Sequence, residues 1–251
     1  MAGHSKWKQI KRQKGATDAK RGQVFTKIAR EITVAARLGV PDPDANFRLR
    51  IAIQKARAEN MPNENIKRAI ERASSESGGD NYAEIYYEGY GPSGMAVMMK
   101  VLTDNRNRTV GEIRAVLTRA NGSLGESGSV AFLFDQVGLI TVKTNGADPD
   151  ELSLQAIDAG AEDIRTDGAE EDGTIEVLTA PSELKAVQDA LEAQGLQVED
   201  AQITMQPKTL IALEEADTLK GVRLIERLED LDDVQEVYSN LEVSDDVLAQ
   251  V

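Results

Sequence analysis

The stretch SKWKQIKRQK at residues 5–14 sets one aromatic ring between two lysines and follows it with three more cations. Side chains of this kind bind polyanions. Lys6, Lys8, Lys11, Arg12 and Lys14 can each neutralise a phosphate and release the counterions condensed on it, so the binding weakens steeply as salt rises. Trp7 has two readings: a ring that stacks on a base, or an anchor that packs against neighbouring helices. Lys20, Arg21, Lys27 and Arg30 extend the cationic series, and the first 30 residues hold nine basic groups against one acid, Asp18. A second basic point is TDNRNRT, where Arg106 and Arg108 stand just ahead of a helix whose start is marked by a capping box, Thr109 with Glu112. Backbone N–H groups and the helix dipole favour an anion there, and two arginines could clamp a phosphate. The alternative is that these arginines pair with carboxylates of the chain itself.

Other chemistries find little support. His4 is the only histidine, with no partner placed for a triad and no second ligand to hold a metal. The absence of cysteine excludes disulfides, thiolate zinc sites and cysteine nucleophiles, and suits a reducing cytoplasm. GYGPSG at 89–94 matches G-x-G-x-x-G, but a dinucleotide site needs a helix next. MAVMMKV is strand-like instead, and Pro92 removes a phosphate-cradling N–H, so the motif reads as a glycine turn between two strands. The expectation is a protein that is not an enzyme and uses no cofactor, metal or small-molecule substrate.

Charge is segregated along the chain. The 251 residues carry a net −14, but residues 1–72 sum to +10 and residues 73–251 to −24. Such asymmetry points to a nucleic-acid-binding module attached to an acidic body. No apolar run approaches the ~18–20 residues of a membrane span, so no membrane partner is expected.

These residues need elements to hold them. Residues 1–16 lack an apolar period and read as an arm. A helix is expected over 17–38, with Val24, Phe25, Ile28, Ile32 and Ala35 as its apolar stripe and Lys20, Lys27, Arg30 and Arg37 on the other side. Gly39 and Pro41 end it. A second helix is expected over about 46–60 and a third after Pro62. SSESGGDN at 74–81 is a linker by composition. IYYEGY and GMAVMMKVLT then read as strands, TVGEIRAVLTRA as a helix with Val110, Ile113, Val116 and Leu117 buried, and SVAFLFD as a strand. From GLITVK onward the order β-α-β-β-α-β is that of a ferredoxin-like unit. Pro207 breaks the chain; TLIAL is strand-like, LKGVRLIERLED helical, and VQEVYSNLEV a last strand. ALEAQGLQVEDAQI and RLEDLDDVQEVYSN repeat a helix-end, turn, strand pattern, as two ferredoxin-like halves would. The expected fold is α+β: an N-terminal helical domain (1–76), then two ferredoxin-like α/β domains, one (136–206) inserted in the other (82–135 plus 207–241).

AGHSKW, DAKRGQVFTK, ENMPNENIKRAI, YEGYGP, LTDNRNRT and GSVAF, in this order, closely resemble the YebC/PmpR family, whose relatives include the mitochondrial translational activator of cytochrome c oxidase subunit I. The likeness is strong over residues 1–140 and continues weakly through LEDLDDVQEVYSN. It implies a cytoplasmic, three-domain α/β protein without catalysis, a regulator of transcription by description, while other members look like ribosome-associated translation factors that relieve stalling. Two residues depart from the pattern: Phe47, where the family usually has proline, puts the start of the second helix in question, and Ser93 stands in GPSG where GPGG is usual.

The combined expectation is a regulator of gene expression that binds DNA through its basic arm and first helix. The alternatives are a translation factor on ribosomal RNA or the ribosome, and a protein-interaction adaptor whose arm docks an acidic partner. Lys6, Trp7, Lys8, Lys11, Arg12, Lys14, Lys20, Arg21, Lys27 and Arg30 are its expected contacts, with Arg106 and Arg108 a second point.

Overall fold

The computed structural model describes residues 18–74, 82–170, 173–244 and 247. The chain divides into two compact units, residues 1–134 with 207–251, and residues 135–206.

The first unit opens with three helices, α1 (Asp18–Leu38), α2 (Phe47–Ala58) and α3 (Asn63–Ser74). The expected stripe of α1 is the seed of their core. Ile28, Ile32, Ala35 and Ala36 pack with Leu49, Ala52, Ile53 and Ala56 of α2, with Met61, and with Ile66 and Ala69 of α3. The α1–α2 corner turns on Asn46. Its side-chain oxygen accepts from Leu49 N and caps α2, while its amide donates to the Ala35 and Val40 carbonyls left open at the end of α1. Gly39 serves this corner through space: a Cβ there would lie 2.5 Å from the Asn46 amide nitrogen. Phe47 is the first helical residue, where a proline would fit equally, so the departure at this position leaves the start of α2 in place.

The rest of the unit is a sheet in the order β3-β1-β2-β8, built from β1 (Ala83–Tyr90), β2 (Ala96–Thr103), β3 (Ser123–Leu124) and β8 (Val234–Ser239). Its pairs are antiparallel, with Tyr86 opposite Lys100 and Lys100 opposite Glu236. Helices α4 (Arg106–Arg119) and α7 (Glu215–Glu229) cover one face, where Val97, Met99 and Val101 meet Ile113, Leu117, Val222, Ile225 and Leu228. The sheet is the first of two four-stranded antiparallel sheets, and β1, the earliest strand, lies between β3 and β2. The G-x-G-x-x-G stretch is a tight 3-10 turn, Pro92–Gly94, between β1 and β2.

The second unit runs β4 (Phe134–Lys143), α5 (Pro149–Asp158), β5 (Asp163–Arg165), β6 (Thr174–Thr179), α6 (Leu184–Ala193) and β7 (Val198–Pro207), in sheet order β5-β6-β4-β7, the ferredoxin-like order. Ile140, Val142, Ile175 and Val177 alternate inward along their strands and are buried, as are Leu152, Ala156, Leu184, Val187 and Leu191 on the two helices.

Three local expectations are corrected. The α4 cap is Asn105, whose side chain accepts from Arg108 N; Thr109 lies inside the helix, fully buried, and so is no cap. SVAFLFD is not extended throughout: Ala131–Leu133 is a 3-10 turn and β4 begins at Phe134. The cause is Glu88, whose buried carboxylate gathers the backbone N–H groups of Gly128, Val130 and Ala131 and wraps the segment around itself. TLIAL contributes only a single parallel bridge, Ile211 to Leu241, because the segment reaches the sheet at its end.

Candidate nucleic-acid interface

Lys6, Trp7, Lys8, Lys11, Arg12 and Lys14 lie outside the described residues, as does the side chain of Lys20. Of the remaining candidates, Arg21 is exposed near the start of α1. The other two described candidates on that helix, Lys27 and Arg30, are not. Lys27 Nζ donates to the carbonyl of Glu229 at the C-terminal end of α7, where cations are favoured. Arg30 Nη1 donates to the Asp232 carbonyl and, at 3.0 Å, to Asp233 Oδ1; its guanidinium also lies over the Tyr82 ring, 5.4 Å from the centroid. The side of α1 opposite its apolar stripe is thus polar because it faces the α7–β8 turn.

The second basic point divides. Arg106 is exposed, whereas Arg108, 44% exposed, places Nη2 at 2.7 Å from both Asp104 Oδ1 and Asp233 Oδ2. Asp233 is 2% exposed and is the centre of this cluster. Besides the two arginines it accepts from Thr109 Oγ1 at 2.6 Å and Thr103 Oγ1 at 3.0 Å. Burial pushes the Asp233 carboxyl upward, but its hydrogen bonds from Thr109, Arg108 and Thr103 and the charge of Arg30 outweigh this and hold it below the usual carboxylate range. The hydrogen bonds that Arg108 donates to Asp233 and Asp104 in turn raise its guanidinium.

Sequence reasoning did not find Asp233. It lies 203 residues from Arg30 and 125 from Arg108, and one aspartate in the acidic run LEDLDDVQE carries no local sign of its partners. Nor did it find the second set of charges around α2. Arg48 Nε and Nη2 donate to Glu31 Oε1 at 3.0 and 2.8 Å, and Nη2 also reaches Glu84 of β1. Burial lowers the Arg48 guanidinium, yet the carboxylates of Glu31 and Glu84 prevail and raise it. Lys100 of β2 lies 3.8 Å from Glu31, and Lys55 of α2 lies 3.5 Å from Glu236 of β8. Beneath them Tyr86 is pushed up to about 12, first by burial and then by Glu84 and Glu236. Arg57, Lys67 and Arg68 on α2 and α3 remain on the exposed surface, Arg68 lying 3.7 Å from Glu64.

Residues 5–76 match the model of the TACO1/YebC protein N-terminal domain, and residues 82–241 that of the TACO1/YebC second and third domain. The chain belongs to the TACO1/YebC family. Family members named "Probable transcriptional regulatory protein" are similar along the whole length: one from Pelotomaculum thermopropionicum is 53% identical over 98% of this chain and 100% of its own, and one from Chloroflexus aurantiacus 53% identical over 100% and 99%. The crystal structure of a conserved hypothetical protein from Aquifex aeolicus, 44% identical, superposes with a TM-score of 0.82 over 91% of this chain and 93% of that one. That likeness agrees with the fold expected for the family: a helical N-terminal region followed by two ferredoxin-like sheets.

Proposed function

We propose that this chain is a cytoplasmic, non-enzymatic regulator of gene expression that binds DNA phosphates through its N-terminal end. The observation that carries the reading is the segregation of charge, +10 over residues 1–72 against −24 over the remainder. A cationic end attracts polyphosphate, and an anionic body repels it everywhere else, so contact is confined to one region. The contacts are Lys6, Lys8, Lys11, Arg12, Lys14, Lys20 and Arg21, with Trp7 stacking and Arg106 adding a phosphate contact. The relatives' name, probable transcriptional regulatory protein, supports DNA as the target. The second reading, structured RNA on the ribosome, is favoured by the acidic body, which can meet basic ribosomal proteins.

The test combines a variant with two targets. Lys11→Glu, Arg12→Glu and Lys14→Glu together are expected to weaken binding to a promoter fragment by orders of magnitude and to flatten its salt dependence. A specific footprint in competitor DNA without ribosome co-sedimentation supports transcription, and the reverse pattern supports translation. Unchanged affinity of the triple variant would sink the arm as the contact. An interaction that survives complete nuclease digestion would replace both readings with a protein adaptor.

A further inference from the structure

Within the first unit, the apolar clusters of the three helices and of the sheet share no residue. Polar side chains join the two. From the helices come four cations: Lys27 and Arg30 on α1, Arg48 and Lys55 on α2. They meet the Glu229 and Asp232 carbonyls and the carboxylates of Asp233, Glu84 and Glu236, and Arg48 is shared between Glu84 and Glu31 of α1. Lys100 with Glu31 is a pair of the reverse sense. The connecting segment 75–81, SESGGDN, carries no apolar side chain.

The chemistry of this seam is that of nucleic-acid backbone recognition with carboxylates in place of phosphates. A planar guanidinium receives a carboxylate as it would receive a phosphate, and a lysine ammonium is a point charge that serves either. We propose that the face of α1 and α2 bearing Lys27, Arg30, Arg48 and Lys55 is a second nucleic-acid-binding surface, covered in this conformation by the Glu84 and Glu236 carboxylates of the sheet and by the carbonyls and the Asp233 carboxylate at the α7–β8 turn. Nucleic acid held by the N-terminal arm competes for these cations, and its binding separates the helices from the sheet. This rests on the reading that the N-terminal end binds nucleic acid and adds to it a covered surface with a built-in competitor.

Several features favour an exchange over a permanent seam. Lys55 and Arg48 stand 47% and 36% exposed at its rim, so an incoming phosphate can reach them before the buried Arg30 contact parts. Ionic links at such exposure contribute little stability each. Met98, Leu102 and Tyr238 on the same sheet face are buried and belong to neither apolar cluster, so uncovering them opposes opening and keeps the free protein closed.

The natural chain has no cysteine, so spin labels can be placed at Ala58→Cys on α2 and Ala115→Cys on α4, both exposed positions. Dipolar distances are measured in the full-length protein at fixed salt, alone and saturated with a short DNA duplex or a ribosomal RNA hairpin. In parallel, the affinity of Glu84→Gln with Glu236→Gln is compared with that of the parent. The expected result is a longer, broader distance distribution on saturation, with the double variant binding at least about fivefold tighter. Binding by the parent with an unmoved distance and an unchanged affinity in the double variant would overturn the covered surface and leave the arm reading standing. No binding to either nucleic acid would overturn both.

Discussion

Arg30 Nη1 lies 3.0 Å from Asp233 Oδ1, across 203 residues of sequence. Asp233 also holds Arg108, Thr103 and Thr109, so one carboxylate fastens the first helix, the β2–α4 loop and the α7–β8 turn together.

Removing that carboxylate takes away the acceptor shared by two buried hydroxyls and two guanidiniums, which keep their contacts to Asn105, Asp232, Asp104 and each other. Such losses cost about 3–5 kcal/mol when every partner stays dry. Arg108 is 44% exposed and can rehydrate, so Asp233→Ala is expected to cost about 2–3 kcal/mol in urea unfolding, with Asp233→Asn milder. A loss below about 0.5 kcal/mol would show that the cluster does not hold the fold together.

Acid should loosen the protein through two carboxyls. Burial drives Glu88 upward, but hydrogen bonds from Gly128, Val130 and Ala131 overcome it and hold the group below its ordinary value, and Asp233 is depressed as well. The unfolded chain therefore binds more protons around and below about pH 4, where these groups ordinarily titrate. Their contribution is complete above about pH 5 and is lost as pH falls through the folded values. Glu88→Gln should be less stable than the parent at neutral pH, and acidification should close the gap. A gap that is constant with pH would refute the amide cradle as its cause.

Arg106 and Arg108 should separate function from stability. Arg106→Ala, at an exposed position, is expected to leave the melting temperature unchanged and to reduce the salt slope of nucleic-acid binding by about one. Arg108→Ala should instead lower the melting temperature by a few degrees, because it strips one donor from Asp233. Equal effects on both readouts would contradict this division.

Ser93 holds φ 55°, ψ 24° in the turn between β1 and β2, and its hydroxyl donates to Asp217 Oδ2 at 2.6 Å. The left-handed backbone costs a side chain about 1 kcal/mol that glycine does not incur, and the hydrogen bond offsets part of it. Ser93→Ala keeps the strain and loses the bond, so it should be less stable than both the parent and Ser93→Gly. Thermal melts of the three proteins rank them, and Ser93→Ala matching Ser93→Gly would remove strain as the explanation.

Much of the architecture was legible before any coordinate. Helix α1 followed from the spacing of Val24, Phe25, Ile28, Ile32 and Ala35, β2 from an unbroken apolar run, and the inserted unit from its order of elements, because each is a local pattern repeated over a whole element. The start of α4 was misread since Thr109 and Asn105 are both competent caps, and burial against Asp233 decided between them. The strand expected from SVAFLFD failed for a similar reason: the Glu88 carboxylate, forty residues upstream of Gly128, overrides local β propensity.

The amino-acid sequence alone determined where the charge lies and which segments fold, because net charge and hydrophobic period are properties of order along a chain. It could not determine which cations remain available. Lys27, Arg30 and Arg108 read like Arg21 and Arg106 in one dimension, yet the fold brings carbonyls and carboxylates from the far end of the chain onto the first three and leaves the other two at the surface. An ion pair forms between neighbours in space, and only the tertiary structure makes residues 203 apart into neighbours.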